Sequence, residues 1–115
     1  MSEPSPAFRF YPKDFMLGTA TMSLAERGAY LLLLIYQWDH GSVPDDAAER
    51  ARILSCSVAQ ADKLWRVVGR KFQTDGNGGW QNARLERERT KQNTRREALS
   101  ASGRKGADAR WGGHD

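Results

Sequence analysis

The sequence holds one cysteine, Cys56, and two histidines, His40 and His114, far apart. A single thiol forms no internal disulfide, and this set has no zinc-site spacing. Cys56 itself reads as a small buried core residue. Long apolar runs are also missing: the longest, Ala29 to Tyr36, falls far short of the roughly 20 residues a membrane span needs. Met1 to Pro6 is polar and proline-bearing and lacks the apolar centre of a secretory leader. These absences point to a cytosolic chain with no membrane partner. Catalytic groupings are scarce as well. Asp75-Gly-Asn-Gly-Gly79 lacks the Lys-Ser/Thr that would make it a phosphate loop. Asp45 and Asp46, and likewise Ser23 and Ser57, stand where helices begin and are explained as caps. The chain therefore reads as a non-enzyme with no cofactor and no metal.

What is present has an uneven distribution. The 115 residues are room for one domain, with 39% hydrophobic and 28% charged side chains. Nearly all the large apolar residues lie between Phe8 and Trp80. A core of that size buries only about 60% of the surface the unfolded chain exposes, so stability is modest. Residues 1–80 carry nine basic and nine acidic side chains, whereas residues 81–115 carry nine basic and five acidic, so the net +4 resides in the tail. A neutral body with a basic extension points to a polyanion, nucleic acid first. The plain alternative is a solvated tail that keeps a small domain soluble.

Residues 1–7 read as a disordered lead-in. Phe8-Arg9-Phe10-Tyr11 alternates before Pro12 and predicts a short strand, followed by a brief helix over Lys13–Leu17. Ser23-Leu-Ala-Glu26 is a capping box for a helix reaching Asp39 and stopping at Gly41. Leu24, Gly28, Leu31, Leu32 and Ile35 share one face of it, with Tyr30, Leu34 and Trp38 widening the stripe. The helix is apolar nearly all round, and is expected to be the most buried. A second helix, capped by Asp45 or Asp46, runs to Leu54 with Ala47, Ala51 and Leu54 inward. Ser57-Val-Ala-Gln60 is another capping box and opens a third helix to Lys71, with Val58, Ala61, Leu64 (or Trp65) and Val68 inward. Only Ser55 and Cys56 separate the two, a helix-turn-helix spacing. Lys71–Thr74 and Trp80–Asn82 flank a turn rich in residues that tolerate positive φ, a hairpin signature. The expected fold is thus mainly α with a small β-hairpin (α+β). It is of winged-helix or helix-turn-helix type over residues 8–83, with a basic helix over 84–101 and a flexible basic tail over 102–115.

Three surfaces are candidates for DNA. On the third helix, Gln60, Lys63, Arg66 (or Val67) and Arg70 recur opposite the apolar stripe, as donors on a major-groove helix would. A solvated helix in which Asp62 pairs with Arg66 is the competing account. The hairpin tip carries no cation and Asp75 repels phosphate, leaving Lys71 at its base. In the tail, Arg84, Arg87, Lys91 and Arg95 share a face, Arg89 and Arg96 flank it, and Arg104, Lys105 and Arg110 follow with Trp111. Interleaved Glu86, Glu88 and Glu97 allow intrahelical ion pairs instead.

Tyr11-Pro12-Lys13-Asp14-Phe15, Gly28-Ala29-Tyr30-Leu31-Leu32-Leu33 and Val43-Pro44-Asp45-Asp46 resemble the YdaU-like prophage proteins, and the match runs through Trp65, Phe72 and Trp80 to Arg84-Leu85. The resemblance implies a winged-helix-like fold in a phage replication or lysogeny module; with the helix-turn-helix and the basic tail, the expected partner is double-stranded DNA and the expected location the bacterial cytoplasm, at the nucleoid. It implies no catalytic residue. The rival expectation is a protein–protein adaptor for a host replication protein, with a transcriptional regulator as a near variant. The apolar Ala29–Tyr36 helix allows a homodimer.

Overall fold

The computed structural model describes residues 5–111, with side chains through Ser102. In chain order it runs α1 (Pro12–Gly18), α2 (Leu24–His40), β1 (Val43–Pro44), α3 (Ala47–Leu54), α4 (Val58–Val68), a 3₁₀ turn (Gly69–Lys71), β2 (Gln73–Thr74), β3 (Gly79–Gln81) and α5 (Ala83–Trp111). It is mainly helical, with a small antiparallel sheet of order β1-β3-β2 in which Val43 faces Trp80 and Thr74 faces Trp80 from the other side. Among the described residues no helix is long and apolar enough to cross a membrane.

Both capping boxes form. The Glu26 amide donates to Ser23 Oγ at 3.1 Å and the Ser23 amide to Glu26 Oε1 at 2.7 Å. Ser57 and Gln60 repeat the pair at the head of α4. Each box satisfies amides that a helix start leaves without partners. Gly41 closes α2 at φ +94°, a setting glycine adopts freely. Asp46 caps α3 by accepting from the Ala48 amide, and Ser55 ends that helix in the left-handed region.

The core is Leu33, Val43 and Val68 at the centre, with Leu34, Trp38, Phe72 and Leu85 around them. The face α2 turns inward is Ala29, Leu33, Leu34, Gln37 and Trp38, which corrects the expected stripe: Leu24 is 89% exposed, Leu32 45% and Ile35 42%. A helix apolar nearly all round leaves periodicity unable to choose a face. A polar residue chooses it. Buried Gln37 donates through Nε2 to the Asn82 carbonyl (3.2 Å) and accepts from the Asn82 amide (2.7 Å). The Asn82 side chain in turn donates to the Lys71 carbonyl (2.8 Å) and the Tyr30 hydroxyl (3.2 Å), and accepts from the Leu85 amide (3.0 Å) at the head of α5. Burial pushes the Tyr30 phenol upward in pKa, against the Asn82 hydrogen bond.

Other expectations also shift. Phe8–Tyr11 forms no strand; the arm is held by rings and side chains instead. Phe8 packs on Trp38 at 5.2 Å between ring centroids, and Phe10 on Phe15 at 5.3 Å. The lead-in is anchored from Ser5, whose carbonyl accepts from Trp38 Nε1 at 2.6 Å, while residues 1–4 lie outside the described residues. Lys71 belongs to the 3₁₀ turn, not to a strand. Cys56 is half-buried, not a core residue. Val58, expected inward, is exposed. The helix expected to end at Ser102-Gly103 continues to Trp111. Glycine inside a helix costs only about 1 kcal/mol relative to alanine, so Gly103 and Gly106 do not force a stop in a segment rich in helix formers. From Asn93 to Ser100 every side chain of α5 is exposed, and the helix projects to give a long dimension of 68 Å.

Asn82→Ala strips partners from the Lys71 carbonyl and the Leu85 amide at once. It is expected to cost about 3 kcal/mol in urea unfolding, whereas Leu24→Ser stays within roughly 0.5 kcal/mol. Equal, small effects of the two would contradict the polar interlock.

Candidate nucleic-acid interface

Helix α4 and the 3₁₀ turn after it present one cationic face. Lys63, Arg66 and Arg70 are exposed, Arg70 from the 3₁₀ turn that prolongs α4. Among the described residues none of the three has an ion-pair partner, and the Asp62–Arg66 pair of the competing account is not made. Gln60 is exposed too, but its Oε1 is committed to the capping box. Behind this face, Arg50 is buried on the inner side of α3. Its guanidinium lies 4.4 Å above the Trp65 ring and donates to the Pro44 carbonyl at 3.0 Å. An apparent surface cation of the sequence is thus part of the scaffold.

The hairpin is organised by the residue expected to repel phosphate. Asp75 Oδ1 accepts from the Asn77 amide (2.6 Å) and the Gly79 amide (3.0 Å), and Oδ2 accepts from Ser42 Oγ (2.6 Å). Gly76 and Gly78, both at φ +82°, let the chain fold over that carboxylate. The Ser42 bond first, and the two amides after it, hold the Asp75 carboxyl below its ordinary pKa.

The basic residues of α5 divide. Arg84 pairs with Asp14 and lies 5.1 Å over the Tyr11 ring. Arg89 turns inward, donating to the carbonyls of Gln37 and Trp38 and pairing with Glu86. Arg95 stands 3.8 Å from buried Glu88, whose other oxygen accepts from the Tyr11 hydroxyl at 3.1 Å. Arg87 and Lys91 have no acidic partner among the described residues and line a cleft against the N-terminal arm, where Lys71 joins them. The site candidates therefore fall into two groups, one on α4 and one along α5. The second includes Arg9, Phe10 and Tyr11, which the sequence presents as a strand, with Tyr11 also opening the Tyr11–Phe15 motif, and not as site residues. The signal the sequence offers there is one cation, Arg9, set among the rings of Phe8, Phe10 and Tyr11. Arg104, Lys105 and Arg110 lie on the α5 backbone, and their side chains are outside the described residues. Among the described residues there is no group of three or more His, Cys, Asp or Glu able to hold a metal.

These features define a small α+β domain with two separate cationic surfaces and a projecting basic helix. Residues 6–90 match the model of a family described as a protein of unknown function, DUF1376. The match spans most of the chain, which belongs to that family. No curated protein and no solved structure matches it.

The lowered pKa of Asp75 sets a pH dependence. Because the folded hairpin favours the carboxylate, its contribution is whole above the ordinary carboxylate value and is lost as pH falls through the lowered one. Amide exchange at Asn77 and Gly79, corrected for its intrinsic acid dependence, is expected to lose protection across that window. Asp75→Asn should show the loss already at neutral pH. Unchanged protection in the variant would contradict the role given to Asp75.

Proposed function

We propose that this chain is a winged-helix DNA-binding protein of a phage replication module, reading duplex DNA with α4. The observation that carries the reading is the exposed trio of Lys63 and Arg66 on the second helix of a helix-turn-helix pair and Arg70 on the 3₁₀ turn that prolongs it, without acidic partners among the described residues. Cations held off from carboxylates are those available to exchange counterions for phosphates. The order of elements supports it. A strand, two helices joined by a short turn and a two-stranded hairpin follow one another, and the last strand sits between the other two. In that arrangement the hairpin is the wing. Its tip contributes no cation, so phosphate contacts fall to α4, Lys71 and α5. The likeness of Tyr11-Pro12 through Val43-Pro44-Asp45-Asp46 to YdaU-like prophage proteins supports a role at a replication origin, with a nucleoid location following from it. Neither a catalytic residue nor a cofactor enters the reading.

Fluorescence anisotropy with random duplex DNA across a salt series tests this. Lys63→Ala, Arg66→Ala and Arg70→Ala combined are expected to weaken binding and to flatten the log–log salt slope by about 0.9 for each phosphate that is no longer neutralised. An unchanged slope and affinity would remove α4 from the interface.

One observation favours a second reading, a protein adaptor that docks a host replication protein or a second copy of itself. Leu24, Leu32 and Ile35 leave an apolar stripe on the outer face of α2, and such faces mark protein contacts. Sedimentation at tens of micromolar distinguishes self-association: a dimer that Leu32→Glu with Ile35→Glu returns to monomer supports it, and a monomeric parent chain contradicts it.

A further inference from the structure

We propose that the cleft between the N-terminal arm and α5 holds an unpaired stretch of single-stranded nucleic acid, with bases on Phe10 and Tyr11 and the backbone along Arg9, Arg87 and Lys91. The site lies on different residues from the α4 face but shares Lys71, Arg87 and Lys91 with the phosphate contacts proposed along α5, so its own mark is the aromatic wall of Phe10 and Tyr11.

The cleft has a volume of about 490 Å³, within the roughly 300–1,000 Å³ usual for sites that enclose small organic groups. Its wall on one side is aromatic. Phe10 and Tyr11 remain 45% and 40% exposed. Phe15 and Tyr30 stack behind them at 5.8 Å with their planes 9° apart. Two adjacent, partly exposed rings on the arm offer flat π faces, which accept any base. The other wall is cationic: Arg9, Lys71, Arg87 and Lys91 line it and have no acidic partners among the described residues. Of the two carboxylates present, Asp14 pairs with Arg84, and Glu88 accepts from Tyr11 with one oxygen while the other, without a hydrogen bond, lies 3.8 Å from Arg95; the five cations of the lining outnumber the two. The lining is therefore net positive where it is open.

Two features select a strand over other anions. A shallower hollow lined by Thr90, Thr94 and Arg95 adjoins the cleft and shares Arg9 and Lys91 with it, so the concave surface continues along α5 with hydroxyls and with Arg95, the one cation it adds, 3.8 Å from Glu88. Duplex DNA does not satisfy the aromatic wall, because its bases are stacked on one another and reach a protein pocket only when taken out of the helix. An acidic peptide would meet the cations but leave the rings without flat partners.

Anisotropy of a short labelled oligo(dT) with the full chain separates the two walls. Phe10→Ala is expected to weaken binding about fivefold or more at fixed salt with the salt slope unchanged, since stacking releases no counterions. Lys91→Ala, exposed on the surface of α5, is expected to flatten the slope by about 0.7. Thermal melts confirm that each variant is folded, and the slope change at Lys91 does not depend on the arm. The triple alanine variant of α4 should bind oligo(dT) like the parent. Failure to bind oligo(dT), or equal binding by parent and both cleft variants, overturns the proposal. So does displacement of the strand by dTMP at an equal nucleotide concentration, which would assign the cleft to a free nucleotide. A poly-glutamate peptide that competes equally well and is indifferent to Phe10→Ala would assign it to an acidic partner.

Discussion

The structure turns on the interlock of Gln37 with Asn82. A buried glutamine on α2 reads the main chain of Asn82 in both directions, at 2.7 and 3.2 Å, while the Asn82 side chain reaches Lys71, Tyr30 and the head of α5. In a low-dielectric interior these bonds are strong when complete and costly when broken. Their consequence is geometric. They fix the rotation of α2, the exit from the sheet and the start of α5 in one step. The basic helix is thereby laid along the N-terminal arm, and Leu24, Leu32 and Ile35 are left outside.

The same interlock sorts the cations. Arg89, one turn beyond Glu86, falls over the Trp38 ring at 4.5 Å and binds the last carbonyls of α2. That is the favourable end of a helix dipole for a positive charge. Arg50 and Arg84 are consumed similarly, by Trp65 with Pro44 and by Asp14 with Tyr11. Among the described residues the cations without an acidic partner include Lys63, Arg66 and Arg70 on one face and Arg9, Lys71, Arg87 and Lys91 around the cleft, while Lys13, Arg27, Arg52 and Arg96 belong to neither group. A net charge of +4 conceals this division. Structural arginines leave two separated surfaces on which a polyanion can be held, and the proposed functions differ in what each surface meets.

Much of the frame was legible in the sequence because it is written in local chemistry. The Ser23–Glu26 and Ser57–Gln60 boxes, Gly41 and the Asp75–Gly79 turn each act within a few residues. The helices and the hairpin followed from them. The face of α2 was not legible, since its apolar residues surround the helix and the deciding contact lies 45 residues away. The arm was obscure for a related reason. Alternation in Phe8–Tyr11 is as compatible with rings packed on Trp38 and Phe15 as with a strand, and only tertiary contacts choose. On α4 the outward cations were legible from their spacing. On α5 spacing gave the face of Arg84, Arg87, Lys91 and Arg95 but could not separate the paired members from the free ones, which depends on Asp14, Glu88 and Tyr11 from elsewhere in the fold.

The central claim is that two faces of one small domain, set apart by the interlock, engage nucleic acid in two different states. Amide chemical-shift mapping of the whole chain, titrated in turn with random duplex DNA and with oligo(dT), addresses it most directly. The account predicts duplex-induced shifts centred on Lys63, Arg66 and Arg70, and strand-induced shifts centred on Phe10, Tyr11 and Lys91. A single set of residues responding identically to both ligands, or responses confined to Leu24, Leu32 and Ile35, would contradict it.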